Sequence, residues 1–291
     1  MSTSALSDVR PTSGVPAGQR IRQWRVARRR SQMDLAQEAG ISPRHLSFVE
    51  TGRSNASRTT LSSLAVALDL SLRDHNTLML AAGYAPPHPS NPWTAPGWES
   101  VHRSLAEMVQ AHAPFPAMVV DFKGDILLAN SVLLALLGDV ADDQKPLNSY
   151  RLVLEPDGIG DRIVNRDVWQ SLLAGRILDR AAETGDPTLS ALAEAVTVPP
   201  RTAVNDERSA SAPVVPLLLR YGEDVLTLAG IRAYLTEPRD VTAAELCLES
   251  FIPLDAGTRT ILAQLADMGA QDSAGVRDQR PHPTGQAAEA L

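Results

Sequence analysis

A single cysteine, Cys247, stands in 291 residues. That excludes an internal disulfide, and with no histidine cluster beside it the thiol is poor material for a zinc site. Aromatic residues are scarce, at 4%, so a core must be built mainly from Leu, Val, Ala and Ile. No apolar run approaches the roughly 20 residues needed to span a bilayer, and the N-terminus lacks the apolar stretch of a secretory signal. A cytoplasmic protein is the expectation. The signatures of catalysis are missing too. His45, His75, His88, His102, His112 and His282 are scattered, with no two at i, i+4 beside a Glu. No GxxxxGK[ST] or GxGxxG phosphate loop and no GxSxG elbow is present. No catalytic residue, metal site or cofactor is assigned, and an enzyme is not expected.

Charge of one sign is missing locally. The net charge is -7, yet from Arg10 to Arg58 there are ten Arg, no Lys and three acids (Asp34, Glu38 and Glu50), a net of +7. Residues 59–291 carry 17 bases against 30 acids. A basic head is joined to an acidic body. Guanidinium groups match phosphate oxygens bidentately, so this Arg density points to nucleic acid rather than to a merely solvated face.

Residues 15–84 read as five short helices. Arg20, Ile21, Trp24, Arg25, Ala27 and Arg28 recur at helical spacing in a first helix expected to end near Arg30. Ser31 caps a second helix, with Asp34 at the capping-box position, buried Leu35, Ala36 and Ala39, and a stop at Gly40. Ser42 caps a third with Pro43 at its first position, and Ile41 and Leu46 form a hydrophobic staple. Ser57 and Ser71 start a fourth and a fifth; Leu61, Leu64, Ala65 and Leu68 make the core stripe of the fourth, and Gly83 ends the fifth. Two short helices joined by a tight Gly-containing turn are the sequence form of a helix-turn-helix. If Leu46 and Val49 face inward, then Pro43, Arg44, His45, Ser47 and Phe48 face a major groove. Arg44 suits guanine O6 and N7, and Phe48 a thymine methyl. Gln32, Ser42, Arg53, Ser54, Asn55 and Arg58 are placed for phosphates.

The run from Ser31 to Gly40, SQMDLAQEAG, with ISPRHLSFVETGR from Ile41 to Arg53, resembles the Xre/Cro/C1-type helix-turn-helix. The resemblance implies a five-helix, lambda-repressor-like all-α domain bound to double-stranded DNA. It also implies a structural ion pair between Arg25 and Glu50.

Pro86, Pro87, Pro89, Pro92 and Pro96 exclude a helix over residues 85–97, which read as a semi-rigid linker. Beyond it, residues 98–268 show a helix from Trp98 to His112 and a hairpin, Ala117–Asp121 and Asp125–Ala129, around Lys123-Gly124. Asn130 can cap a helix over Leu133–Leu137. Arg162–Thr184 is a long helical segment, and Asp186-Pro187 opens another through Val196. Val214–Arg220 and Val225–Ala233 form a second hairpin, and Thr242 with Glu245 a capping box for one further helix, which carries Cys247 as a small core residue. The sum is an α+β domain with an antiparallel sheet. Residues 1–14 and 269–291 are expected to be disordered.

Several stretches of this body resemble the PAS-like ligand-binding domain of MmyB-type regulators: LAAGYAP from Leu80, PFPAMVVD from Pro114, Ala129-Asn130, EPDG from Glu155, DVTAAEL from Asp240 and ESF from Glu249. The resemblance implies a hydrophobic pocket for a fatty acid or a similar apolar molecule. Asn130, Arg151 and Asn165, beside apolar runs, are the candidate polar groups of that pocket; as alternatives, an Asn starting a helix is a cap, and an Arg beside a sheet a surface ion pair. Trp169 reads as core. The whole suggests a one-component transcription regulator, a homodimer on a near-palindromic operator with a C-terminal sensor. Its rival is a DNA-binding adaptor whose body recruits a protein and holds no ligand.

Overall fold

Four serines start four of the helices at the N-terminal end. The computed structural model describes residues 15–143, 146–184, 187–195 and 213–275. Its first elements are α1 Ala17–Ala27, α2 Gln32–Glu38, α3 Pro43–Glu50, α4 Arg58–Ala67 and α5 Leu72–Ala81. Ser31, Ser42, Ser57 and Ser71 each accept a hydrogen bond from the backbone N–H three residues on, at Asp34, His45, Thr60 and Asp74. Each cap stabilises its helix by about 1 kcal/mol. The first helix, which has no side-chain cap, stops at Ala27 rather than near Arg30, because Arg29 turns into the left-handed region at φ 54°. Ile21, Leu35, Leu46, Val49, Leu61, Leu64 and Leu78 close a common core. Gly18 lets α1 cross α3 closely: a Cβ there would lie 2.0 Å from the Val49 carbonyl oxygen.

The second half contains α6 Glu99–Ala111, β1 Ala117–Val120, β2 Ile126–Ala129, α7 Ser131–Leu137, α8 Val140–Asp143 and α9 Arg151–Leu154. A 3-10 turn, Gly160–Arg162, precedes α10 Arg166–Thr184 and α11 Pro187–Ala195. Then come β3 Leu217–Tyr221, β4 Asp224–Tyr234, α12 Val241–Glu245, β5 Cys247–Pro253 and α13 Ala256–Gly275. The strands form one sheet in the order β2-β1-β5-β4-β3, every neighbour antiparallel. Both expected hairpins are present. In the first turn Gly124 has φ +86°, and the Asp121 carboxylate accepts from the N–H groups of Lys123 and Asp125 at 2.8 and 2.9 Å.

What joins the hairpins was not expected. β5 runs between β1 and β4, so Cys247 lies on the central strand and not on a helix. A central strand covered on both faces loses the polar/apolar alternation that reveals an edge strand, and Glu249 and Ser250 interrupt its apolar run. The helix expected there is the short α12; its cap is Asp240, whose Oδ1 accepts from the Thr242 N–H at 2.8 Å. The long segment begun at Arg162 is divided by Ile163–Asn165, which bond to β3: Ile163 bridges Leu219, and the Val164 N–H donates to the Leu218 carbonyl at 2.8 Å. The last helix continues past Gly269 to Gly275, into the stretch assigned to a disordered tail. Residues 1–14, 276–291, Asp186 and Val196 lie outside the described residues.

The chain divides into two compact units. One contains the residues through Ala95 together with Leu235–Ala244, and the other Pro96–Tyr234 and the residues from Glu245 onward. Of the three places where the chain passes between the units, the first, between Ala95 and Pro96, falls within the Pro-rich stretch of residues 85–97. No helix among the described residues is long and apolar enough to cross a membrane.

Candidate nucleic-acid interface and apolar cavity

On α3, Leu46 and Val49 are buried. Pro43 and Arg44 are exposed, and His45, Ser47 and Phe48 are half-buried. This is the distribution required of a helix that rests on its domain and offers one side to a groove. The Arg44 guanidinium lies 5.4 Å from the centre of the Phe48 ring, so Phe48 supports the arginine one turn earlier instead of standing alone. After α3 the N–H groups of Arg53 and Ser54 both donate to the Phe48 carbonyl, at 2.8 and 3.2 Å. That turn exposes the Arg53 and Asn55 side chains, with Ser54 half-buried between them, and Arg58 follows exposed at the first position of α4. Ser42 is occupied as the α3 cap.

Arg25 and Glu50 are paired. Nε and Nη2 of Arg25 donate to the two carboxylate oxygens of Glu50 at 2.7 and 2.9 Å, and Nη1 donates to the Arg30 carbonyl at 2.9 Å. The Glu50 hydrogen bond holds the Arg25 pKa above its ordinary value against the opposing effect of burial. Gln32 joins this network, its Nε2 donating to Glu50 Oε2 at 2.7 Å. One of its amide N–H groups is thereby used inside the domain, which fixes the side chain at the start of α2 and leaves the second for an outside acceptor.

The second site lies on one face of the sheet. The ladder register puts Met118 opposite Glu249, Glu249 opposite Arg232, Gly230 opposite Phe251, and Leu217 opposite Leu228. Residues paired across a ladder share a face, so these side chains form one surface. Against it stand Leu133, Leu136 and Leu137 of α7, Leu152 and Val153 of α9, and Trp169, Leu173 and Arg176 of α10. The last three recur at i, i+4, i+7, a single helix face. Between the layers is a cavity of about 80 Å³. A single water occupies roughly 10–15 Å³ on that measure, so the space admits a short alkyl chain.

Its wall is apolar apart from Ser149 and a polar end where Arg176, Arg232, Glu249 and Tyr150 interact. Arg232 and Glu249 form an ion pair in which the Glu249 side chain is only 10% exposed. Burial, the largest single influence, opposes the charge on Arg232, but Glu249, Cys247 and Tyr234 together raise its pKa above the ordinary value. Arg176 is pushed the other way, first by burial and then by Arg232, with Glu249 and Tyr150 partly compensating. Among the described residues Arg176 makes no hydrogen bond of its own. A guanidinium stays protonated even so, which leaves one more cation than anion among Arg176, Arg232 and Glu249.

None of the three polar groups expected in the pocket lines this cavity. Asn130 is fully buried and fully used: its Oδ1 accepts from Ala117 and Leu133, and its Nδ2 donates to the carbonyls of Val109 and Phe115. It caps α7 and braces β1. Asn165 bonds both ways to the start of β3 and the residue before it, donating to the Pro216 carbonyl at 2.8 Å and accepting from the Leu218 N–H at 3.1 Å. Arg151 is half exposed and pairs with Glu155 at 3.7 Å; it borders a separate polar recess with Lys123, Asp125 and Asn148. Trp169 is buried core and cavity wall at once, its Nε1 donating to the Pro216 carbonyl at 2.9 Å. Sequence reasoning missed Arg176, Arg232 and Glu249. The heptad-like spacing of Trp169, Leu173 and Arg176 was the one available signal, an arginine on the apolar stripe of a helix.

Two family models match the chain: the MmyB-like transcription regulator ligand binding domain over residues 101–265, and a helix-turn-helix over residues 21–75. Among solved structures, the restriction-modification controller protein C.AhdI from Aeromonas hydrophila is 35% identical, covering 21% of this chain and 89% of its own, with a TM-score of 0.20. No curated protein matches.

Proposed function

Since the chain belongs to the MmyB-like transcription regulators, joining a helix-turn-helix DNA-binding domain to a ligand-binding domain, we propose that it is a one-component sensor for a fatty acid or a similar amphiphile with one anionic group. In this reading the apolar tail fills the space between α7, α10 and the sheet, and the head meets Arg176. Arg176 is the observation that carries the proposal: a half-buried cation without a hydrogen bond of its own, at the polar end of a cavity walled mostly by apolar side chains, is an anchor for a carboxylate, because charge-assisted hydrogen bonds are the strong ones. The cavity also favours a sensor over an adaptor that recruits a protein partner, which would need no internal space.

On the DNA side, Pro43, Arg44, His45, Ser47 and Phe48 read base edges, and Gln32, Ser42, Arg53, Ser54, Asn55 and Arg58 engage phosphates, Ser42 through the N-terminal end of α3 that it caps. A dimer places two such helices on half-sites about 34–36 Å apart, which makes the operator near-palindromic.

Native mass spectrometry of the full chain incubated with octanoate tests both parts. The expected spectrum is a dimer carrying octanoate in the wild type and a dimer without it in Arg176→Ala. A wild type that retains no octanoate overturns the ligand reading, and a monomer overturns the dimer.

A further inference from the structure

β4 ends at Tyr234 and β5 begins at Cys247. Between them Leu235–Ala244 leave the sheet and belong, with the residues through Ala95, to the compact unit that contains the helix-turn-helix. The attachment is specific. The Asp240 Oδ2 accepts from the backbone N–H of Asn91 at 3.1 Å and from its Nδ2 at 2.8 Å, while Oδ1 accepts from the Thr242 N–H. The Val241 N–H donates to the Pro89 carbonyl at 2.9 Å. The Val241 side chain is 2% exposed and borders a recess with Arg73, Asn76 and Leu80 of α5 and with His88. The linker is held to α5 in turn: Asn76 Oδ1 accepts from the His88 N–H at 3.0 Å, and its Nδ2 donates to the His88 carbonyl at 2.8 Å. Hydrogen bonds and adjacent residues thus lead from Val241, next to Asp240, through Pro89 and His88 to Asn76 on the fifth helix of the DNA-binding half, while Asp240 itself holds Asn91 two residues further along the linker.

The other end of the same connection starts at the polar end of the cavity. Arg232 and Glu249 are ladder partners, Ala233 and Leu248 follow, and Tyr234 with Cys247 is the rung from which the connection departs. We propose that Leu235–Ala244 is the coupling element through which the occupancy of the cavity reaches the DNA-binding half. The inference rests on the reading of the cavity as an anion-bearing ligand site. An anionic head at Arg176 attracts Arg232 and repels Glu249, so it loosens their pair. The last rungs of β4 and β5 then shift, and with them the hold of Asp240 and Val241 on the linker and α5. A ligand that favours one of these two arrangements changes DNA affinity by as much as its own affinity differs between them.

The test uses the full chain and a DNA site recovered by binding-site selection, with octanoate as probe. In the wild type octanoate is expected to change DNA affinity about fivefold or more, the usual lower end of allosteric coupling. Asp240→Ala and Asn91→Ala should bind octanoate as the wild type does but lose that change; the second variant leaves the Thr242 cap intact, so loss in both is not a helix-capping effect. Retention of the full change in both variants overturns the coupling role. Absence of octanoate binding by the wild type counts against the cavity reading instead. In that case hydrogen exchange of the ligand-free chain decides: Arg232→Ala should speed exchange at the amides of Asn91 and Val241, whereas the control Arg151→Ala should not. Unchanged exchange at both amides in Arg232→Ala overturns the coupling.

Discussion

Arg25 on α1 holds both carboxylate oxygens of Glu50, at 2.7 and 2.9 Å, with the Glu50 side chain 1% exposed. The pair ties the first helix to the end of the third, and through Gln32 to the start of the second. Removing one partner strands a buried charge, which costs about 3–5 kcal/mol. Arg25→Ala should therefore lower the urea midpoint of the head strongly. Arg25→Met with Glu50→Leu should recover most of the loss, because two apolar groups of similar volume strand no charge. If the double substitution is as unstable as the single, packing rather than charge explains the defect.

In the proposed reading Arg44 and Arg53 differ in kind of contact, one with a base and the other with phosphate. Arg44→Ala should remove preference for one base and cost on the order of 1–3 kcal/mol at the selected site. Arg53→Ala should weaken all sequences alike and reduce the slope of log affinity against log salt by about one unit. Unchanged selectivity in a binding-site selection would take Arg44 out of base reading.

The His75 and His88 rings meet edge to face, with Nδ1 of the first 3.1 Å from Nε2 of the second. Burial, then His88, then Arg58 lower the His75 pKa from the ordinary 6.5. The unfolded chain therefore takes up a proton near pH 6.5 that the folded chain takes up only at lower pH. Stability is present above that value and is lost as the pH falls through the folded one. Urea unfolding between pH 7.5 and 5 should show this decline, and His75→Gln should flatten it; an identical slope in the variant would assign the decline to other groups.

Cys247 is 3% exposed. Burial raises its thiol pKa, against a lowering hydrogen bond from Tyr234. Thiolate is the reactive form, so iodoacetamide at pH 7 should leave the native protein unmodified and label it only in denaturant. Rapid labelling of the native protein would show a thiol open to solvent.

Most of the DNA-binding head was legible, because its helices carry local signals: serine caps on α2 to α5, apolar stripes and Gly stops such as Gly40, while α1, which lacks a cap and ends before the left-handed Arg29, was placed less well. The two hairpins were legible from turns at Gly124 and Gly222 between short apolar runs. β5 was not, since a strand buried on both faces with Glu249 and Ser250 in it has neither alternation nor a continuous apolar run. Its absence hid the cavity's polar end. Arg232 and Glu249 become neighbours only when β4 and β5 pair, so no spacing along the chain announces them. Asn130 and Asn165 looked like ligand groups for the converse reason: a polar residue beside apolar runs is also what a brace between backbone segments requires, and both are used up in that work. The attachment of Asp240 to Asn91 was beyond reach for the same reason, as it joins residues far apart in sequence.

In the proposed reading one chain senses an anionic amphiphile through Arg176 and reports it as DNA affinity. Titration of the selected DNA site with the full-length protein at increasing octanoate tests it most directly. Octanoate should shift the dissociation constant of the wild type and leave that of Arg176→Ala where it was. A wild type that binds octanoate in the cavity while its DNA affinity stays constant would contradict it.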